Sequence, residues 1–248
     1  MTTKIKNKPA SSFITVITVN YNNSIGLEKT INSVIQQNYS NYQYLIIDGG
    51  STDGSIELIN GFNKSEFYKV IERDEGIYHA MNKAINIADG EWLLFMNSGD
   101  VFVDNASLNS AMLESVSGCD VIYANWIYAK SGKKINASKR NMIIRHQSVI
   151  YKKSLHDIYG TYAVSPNVTI SDYIFFSSIQ NVKWHYHDKS LSVCDESGVS
   201  SNVSHFYQKI SVDFIFGRSS KAVLITILVL YPAYKMFKKT WIRIAKFI

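Results

Sequence analysis

Short apolar runs alternate with segments of helical periodicity through the first hundred residues, and each run ends in a polar break. Residues 12–19, SFITVITV, are β-branched and almost wholly apolar, which predicts a strand covered on both faces; Asn20 to Ser24 stop it. Leu27, Ile31 and Val34/Ile35 then recur at helical spacing behind the cap candidates Asn23 and Ser24, predicting a helix that ends near Gln37. A second strand is expected over Tyr42–Ile47, a short helix over Gly54–Ile59 behind Asp53, and a third strand over Tyr68–Glu72. Ile77, Met81, Ala84/Ile85 and Ala88 mark the next helix, and Trp92–Met96 a fourth strand ahead of Asn97-Ser98-Gly99-Asp100.

Such alternation predicts an α/β fold with a parallel sheet, because each helical crossover brings the chain back to start a strand in the same direction. All the C-terminal strand ends then share one edge, where open α/β sheets bind ligands. Asp48, Asp74 and Asp100 follow three of those ends and should line one crevice. The second half is less regular. Strands are expected at Val121–Tyr128, Ser148–Tyr151, Val182–His187 and Leu191–Cys194, with a helix near Ser171–Ile179. With no repeat or low-complexity linker, residues 11–205 read as one domain and 206–248 as an appendage.

Charge sharpens that division. The formal net charge is +6, but seven basic residues and no acidic one lie from Arg218 onward, leaving 19 basic against 20 acidic residues before it. A body that bound nucleic acid would carry the basic patch itself, so nucleic acid is not an expected partner. The apolar run beginning at Ala222 is short of the roughly 20 residues that span a bilayer. Beyond Pro232, Tyr234, Phe237, Trp241, Ala245 and Ile248 recur at steps of three or four, with Lys235, Lys239, Arg243 and Lys246 on the other side. That is the pattern of a basic amphipathic helix lying in an anionic membrane surface; packing on the domain or on a second subunit is the other reading. Two cysteines, Cys119 and Cys194, make neither a disulfide framework nor a four-ligand zinc site, and the polar N-terminal dozen residues carry no secretory signal, so a cytoplasmic body is expected. His185 and His187 share a strand face but lack a third ligand at useful spacing.

The segments ITVITVNYNN, YLIIDGGSTDGS and ERDEGIYHAMNKAINIADGEWLLFMNSGD, followed more loosely by RHQSVIYKK and SDYIFF, resemble glycosyltransferase family 2 enzymes with the GT-A fold, in particular those that build colanic acid, O-antigen and capsule. The resemblance implies a mostly parallel mixed sheet flanked by helices, with inverting transfer of a sugar from a nucleotide donor, usually a UDP-sugar, assisted by Mg2+ or Mn2+. The implied acceptor is a saccharide on a polyprenyl diphosphate at the inner face of the cytoplasmic membrane. Carried over by residue, Thr18, Val19, Asn20 and Tyr21 would form part of the nucleotide pocket, Asp48 and Asp74 would read the nucleoside, and Asn82 and Lys83 would face the crevice, Lys83 toward the diphosphate. The common Asp-x-Asp metal motif is departed from: Ser98 holds the first position and would be among the donor contacts, and Asp100 would be the metal ligand. Many relatives have a second aspartate where Gly49 stands. Asp172 matches the catalytic base, and His146, beside Gln147, would touch a phosphate or the acceptor. Asp53 is expected to be structural. A nucleotidyltransferase is the alternative enzyme, but the glycine- and arginine-rich phosphate loop of that class is replaced by Asn20-Tyr21-Asn22-Asn23; a non-catalytic nucleotide-sugar or membrane-binding module is the alternative outside catalysis.

Overall fold

The computed structural model describes residues 13–62, 67–195 and 203–227. The described strands form one mixed sheet. Its parallel half is β1 (Ile14–Asn20), β2 (Tyr42–Asp48), β3 (Phe67–Ile71) and β4 (Trp92–Phe95). The second half adds β5 (Val101–Phe102), β6 (Val121–Tyr128), β7 (Lys134–Ile135), β8 (Val149–Lys152) and β9 (Trp184–Cys194). The order is β3-β2-β1-β4-β8-β6-β9-β5, with β7 beside β6. β8 runs antiparallel to both β4 and β6, so it joins the two halves.

Alternation along β1 divides the core. Ile14 and Val16 point to the face covered by α1 (Ser24–Ile35), α2 (Ser55–Gly61) and α4 (Ser107–Met112), where Leu27, Ile31, Ile59 and Leu108 are buried. Ile17 and Val19 point to the other face, where α3 (Ile77–Ile87), α5 (Leu155–Tyr159) and α6 (Ser171–Ser178) contribute Met81, Ile85, Leu155, Phe175 and Phe176. With both faces covered, β1, β2 and β4 are buried almost end to end, which is why they read as unbroken apolar runs. Gly90 permits a close backbone approach: a Cβ there would lie 2.3 Å from the Thr15 amide nitrogen.

The two strands expected at Val182–His187 and Leu191–Cys194 are one, β9, which follows β6 with register shifts near Asn125 that absorb Asp188 and Lys189. The expected domain boundary after residue 205 falls inside α7 (Val203–Ile215). This helix is fastened to α6: Asp213 accepts hydrogen bonds from the Tyr173 hydroxyl and from Arg218 Nε, while Arg218 Nη2 donates to Ser177 Oγ at 2.8 Å. Among the described residues no helix is long and apolar enough to cross a membrane. The amphipathic pattern from Tyr234 to Ile248 lies outside the described residues.

Candidate functional site

Register brings the first strand ends level, with Asn20 beside Asp48 and Asp48 beside Ile71. The loop after β4 docks on the same edge, because Met96 N donates to Ile17 O and Ser98 N to Val19 O. Along this edge the structure separates residues that build the loops from residues that present themselves.

Several expected donor contacts are builders. Thr18 is fully buried, its hydroxyl donating to Met96 O at 2.8 Å, and Val19 meets the loop through its carbonyl. Asn20 Nδ2 donates to Asp48 Oδ2 at 2.7 Å. Asp48 has no exposed surface, and its carboxylate is filled from its own chain: Gly50 N and Ser51 N donate to Oδ1, Asn20 Nδ2 and Ser51 Oγ to Oδ2. The side chain expected at the base or ribose thus organises the turn. Both ends of the Asn82 amide are engaged by the chain: Nδ2 donates to Tyr162 O and Oδ1 accepts from Tyr162 N, which staples α3 to the loop before α6. Lys83, expected toward a diphosphate, is held between Glu72 at 2.8 Å and Asp74 at 2.7 Å. Burial pulls its ammonium pKa down, but these two carboxylates outweigh that and raise it. Asp53 ties the starts of α1 and α2 together, accepting from Ser24 N and from Ser55 N and Oγ, as its structural reading anticipates.

Tyr21 and Asp74 flank Gly49 at this edge. The Tyr21 side chain is 67% exposed, and Gly49 forms the floor between it and Asp74. A Cβ on residue 49 would sit 3.2 Å from the Tyr21 ring and 3.3 Å from Asp74 Oδ2, so the glycine that replaces an aspartate here is matched to its neighbours. The Asp74 side chain is 8% exposed, its Oδ1 meets Lys83 Nζ at 2.7 Å, and its Oδ2 has no hydrogen-bond partner among the described residues. A buried carboxylate with unfilled acceptor positions is suited to hydroxyl or N–H donors of a ligand.

Asp100 is also buried. Its Oδ2 accepts from Gln147 Nε2 at 2.6 Å and its Oδ1 from Asp195 N at 2.8 Å, and burial raises its pKa against these bonds. Gly99, at φ +100°, lets the chain turn; a Cβ there would lie 3.8 Å from Asp195 Oδ2, so a second carboxylate flanks this loop. Ser98 meets Asn23 Nδ2 through both its carbonyl and its hydroxyl. Each Asp100 oxygen keeps a free lone pair, so a hard cation that also takes phosphate oxygens and water can be accommodated. A closed protein cage is absent: among the described residues no group of three or more His, Cys, Asp or Glu is arranged to hold a metal.

Asp172 opens α6 without capping it. Its Oδ1 accepts from the Tyr78 hydroxyl at 2.7 Å and its Oδ2 faces His146 Nδ1 at 2.8 Å. His146 Nε2 in turn meets the Asn97 side-chain amide at 3.0 Å. The neighbouring residues His146 and Gln147 therefore serve two different acids, Asp172 and Asp100. Tyr78 and Asn97 were not among the sequence candidates. Tyr78 reads as a core aromatic of an amphipathic helix, and only its partner, 94 residues away, reveals a polar role. The other histidine pair forms no metal site: His185 and His187 both contact Glu114, at 3.1 and 2.8 Å.

The sequence profile described as "Glycosyl transferase family 2" matches residues 15–186. The chain belongs to this family. A glycosyltransferase of PGL/p-HBAD biosynthesis from Mycobacterium bovis is 25% identical over 211 residues, 78% of this chain and 81% of that one. A putative teichuronic acid biosynthesis glycosyltransferase, TuaG, from Bacillus subtilis is 31% identical over 90 residues, 35% of this chain and 36% of that protein. Among solved structures, S. aureus TarS 1-349 in complex with UDP-GlcNAc superposes with a TM-score of 0.68 at 17% identity, over 86% of this chain and 66% of that one. The mannosyltransferase PcManGT from Pyrobaculum calidifontis, in complex with GDP-Man and Mn2+, gives 0.63 at 16% identity, over 85% of this chain and again 66% of that one. This chain thus spans just under two thirds of those structures. At such identities the likeness establishes the fold, the GT-A arrangement of a mixed sheet between helices, and the family establishes a glycosyltransferase.

Proposed function

We propose that this glycosyltransferase inverts the anomeric centre as it moves a sugar from a UDP-sugar to a hydroxyl of a lipid-linked saccharide in bacterial surface polysaccharide assembly. The observation that carries the reading is the single imidazole spanning from Asp172 to Asn97, which brings a carboxylate base candidate next to the loop that holds Asp100. In the reaction the acceptor oxygen bonds to the anomeric carbon and its proton passes to Asp172. The bond from that carbon to the phosphate oxygen breaks, and UDP leaves. Tyr21 and Asp74 take the nucleoside. Asp100 would hold Mg2+ or Mn2+, which would neutralise charge on the departing diphosphate. Names of relatives concerned with PGL/p-HBAD and teichuronic acid support the surface-polymer context. In the same reading the basic C-terminal segment lies on the inner membrane surface, beside a lipid-linked acceptor.

The test is thermal stabilisation by UDP-sugars with and without Mn2+, followed by UDP release. Asp172→Asn is expected to keep the stabilisation by the best donor and lose release, and Asp100→Ala to lose the Mn2+-dependent part of the stabilisation. Undiminished UDP release by Asp172→Asn would remove it as the base; an Mn2+ effect unchanged in Asp100→Ala would remove Asp100 as the ligand.

A further inference from the structure

The environment of Asp172 is more specific than a base alone requires. A carboxylate that takes one proton needs access to the acceptor, not two donors fixed on opposite oxygens. Here Tyr78, from α3, holds Oδ1, and His146, from the short 3-10 turn before β8, holds Oδ2. The carboxylate cannot turn about its terminal torsion without breaking one of these bonds.

An ionised carboxylate only accepts, so the 2.8 Å contact requires the hydrogen on His146 Nδ1. The opposite ring nitrogen meets Asn97, in the turn that leads to Asp100. Both nitrogens are thus engaged within the chain. This departs from the expectation that His146 touches a phosphate or the acceptor. We propose that His146 is a positioning residue for sugar transfer: through Nδ1–H it fixes the orientation of the Asp172 carboxylate, and through Nε2 it sets the distance between that base and the donor-side loop. The inference rests on Asp172 being the base and assigns His146 a role in that reaction.

The titratable groups facing Asp172 are His146 from the turn before β8, Tyr78 from α3, Tyr151 from β8 and Tyr162 from the loop before α6. Burial raises the phenol pKa values of Tyr78, Tyr151 and Tyr162, so these remain protonated and none competes for the acceptor proton. Asp100 and Arg145, of opposite charge, are the other charged groups near this histidine. For Asp172 itself, burial pulls the carboxyl upward, but the bond and charge of His146, helped by Tyr78, outweigh it and hold the carboxyl below its ordinary range. Removing His146 therefore moves the acid limb of the rate profile to higher pH, whereas an unrelated packing defect would leave that limb in place.

The experiment uses the full chain. Nitrogen-15 NMR of the histidine rings at pH 8, with Asp172→Asn to assign the ring that responds, is expected to show the hydrogen of His146 on Nδ1; an Nδ1 without hydrogen overturns the proposal. UDP release from the UDP-sugar that stabilises the protein most is then followed against pH. For His146→Ala, kcat is expected to fall about tenfold or more, with the donor KM within about twofold and the acid limb shifted upward. His146→Asn places an amide N–H near the Nδ1 position and should restore the limb toward wild type, with thermal melting of both variants monitoring the fold. An unmoved acid limb in His146→Ala, or no recovery in a folded His146→Asn, refutes the positioning role. A fully active Asp172→Asn would instead refute the parent reading, while an inactive Asp172→Asn with an unaffected His146→Ala refutes this inference alone.

Discussion

Replacing Asp48 separates a residue that builds the crevice from one that reads a ligand. Four donors converge on its buried carboxylate, two of them the main-chain amides of Gly50 and Ser51. Asp48→Ala leaves all four without that partner. Hydrogen bonds to a charged group are worth about 1.5–3 kcal/mol each, and water reaching the more open side of the turn recovers part of the loss, so a destabilisation of about 4 kcal/mol is expected. For a chain of this size that corresponds to a melting point lower by roughly 8–16 °C. Asp48→Asn should recover more than half of it. The retained oxygen can still accept from Gly50 N and Ser51 N, and Asn20, whose Oδ1 is buried without a partner, can turn its amide to accept from the new NH2 group. Urea and thermal unfolding followed by circular dichroism, with and without UDP, provide the assay. If Asp48→Ala unfolds like wild type while stabilisation by UDP disappears, Asp48 is a ligand contact and the turn-building role is wrong.

Two further changes probe other levels of the structure. Gly90→Ala drives a methyl group into the backbone of β1, with Ile14 C at 2.7 Å and Thr15 N at 2.3 Å; a loss of about 3 kcal/mol or more is expected by thermal melting, and a midpoint within about 1 °C of wild type would show that the crossover yields. A chain ended after Arg218 should keep the fold but no longer float with vesicles containing phosphatidylglycerol, whereas the full chain floats; equal flotation would take the membrane role away from the basic segment.

The parallel half of the fold was legible because burial on both faces writes each strand as a short apolar run and each crossover as a helical period. β9 was not, since the polar stretch Asp188-Lys189-Ser190 looks like a break, and only pairing with β6 shows it to be an irregularity within one strand. The same limit governs the site. Sequence placed Asp48, Asp74 and Asp100 at one edge of the sheet, with Asp172 at the start of a helix beside it, because chain connectivity fixes where strand ends and loops go. It could not tell which polar side chains are spent on the protein itself. That depends on partners far away in the chain: Asn20 for Asp48, Tyr162 for Asn82, and both Tyr78 and His146 for Asp172. His146 and Gln147, consecutive polar residues ahead of an apolar strand, were the available signal that this segment serves the crevice.

The attachment of α7 to α6 bears on how the chain can be shortened. Tyr173 follows Asp172 directly, and its ring lies beneath Lys209 at 4.5 Å while its hydroxyl bonds to Asp213, which Arg218 also engages. The footing of α6 thus extends thirteen residues past the boundary expected at 205. Cutting at that boundary would remove the ground on which the proposed base stands, and an inactive fragment would be mistaken for proof that the basic C-terminal segment is required for chemistry.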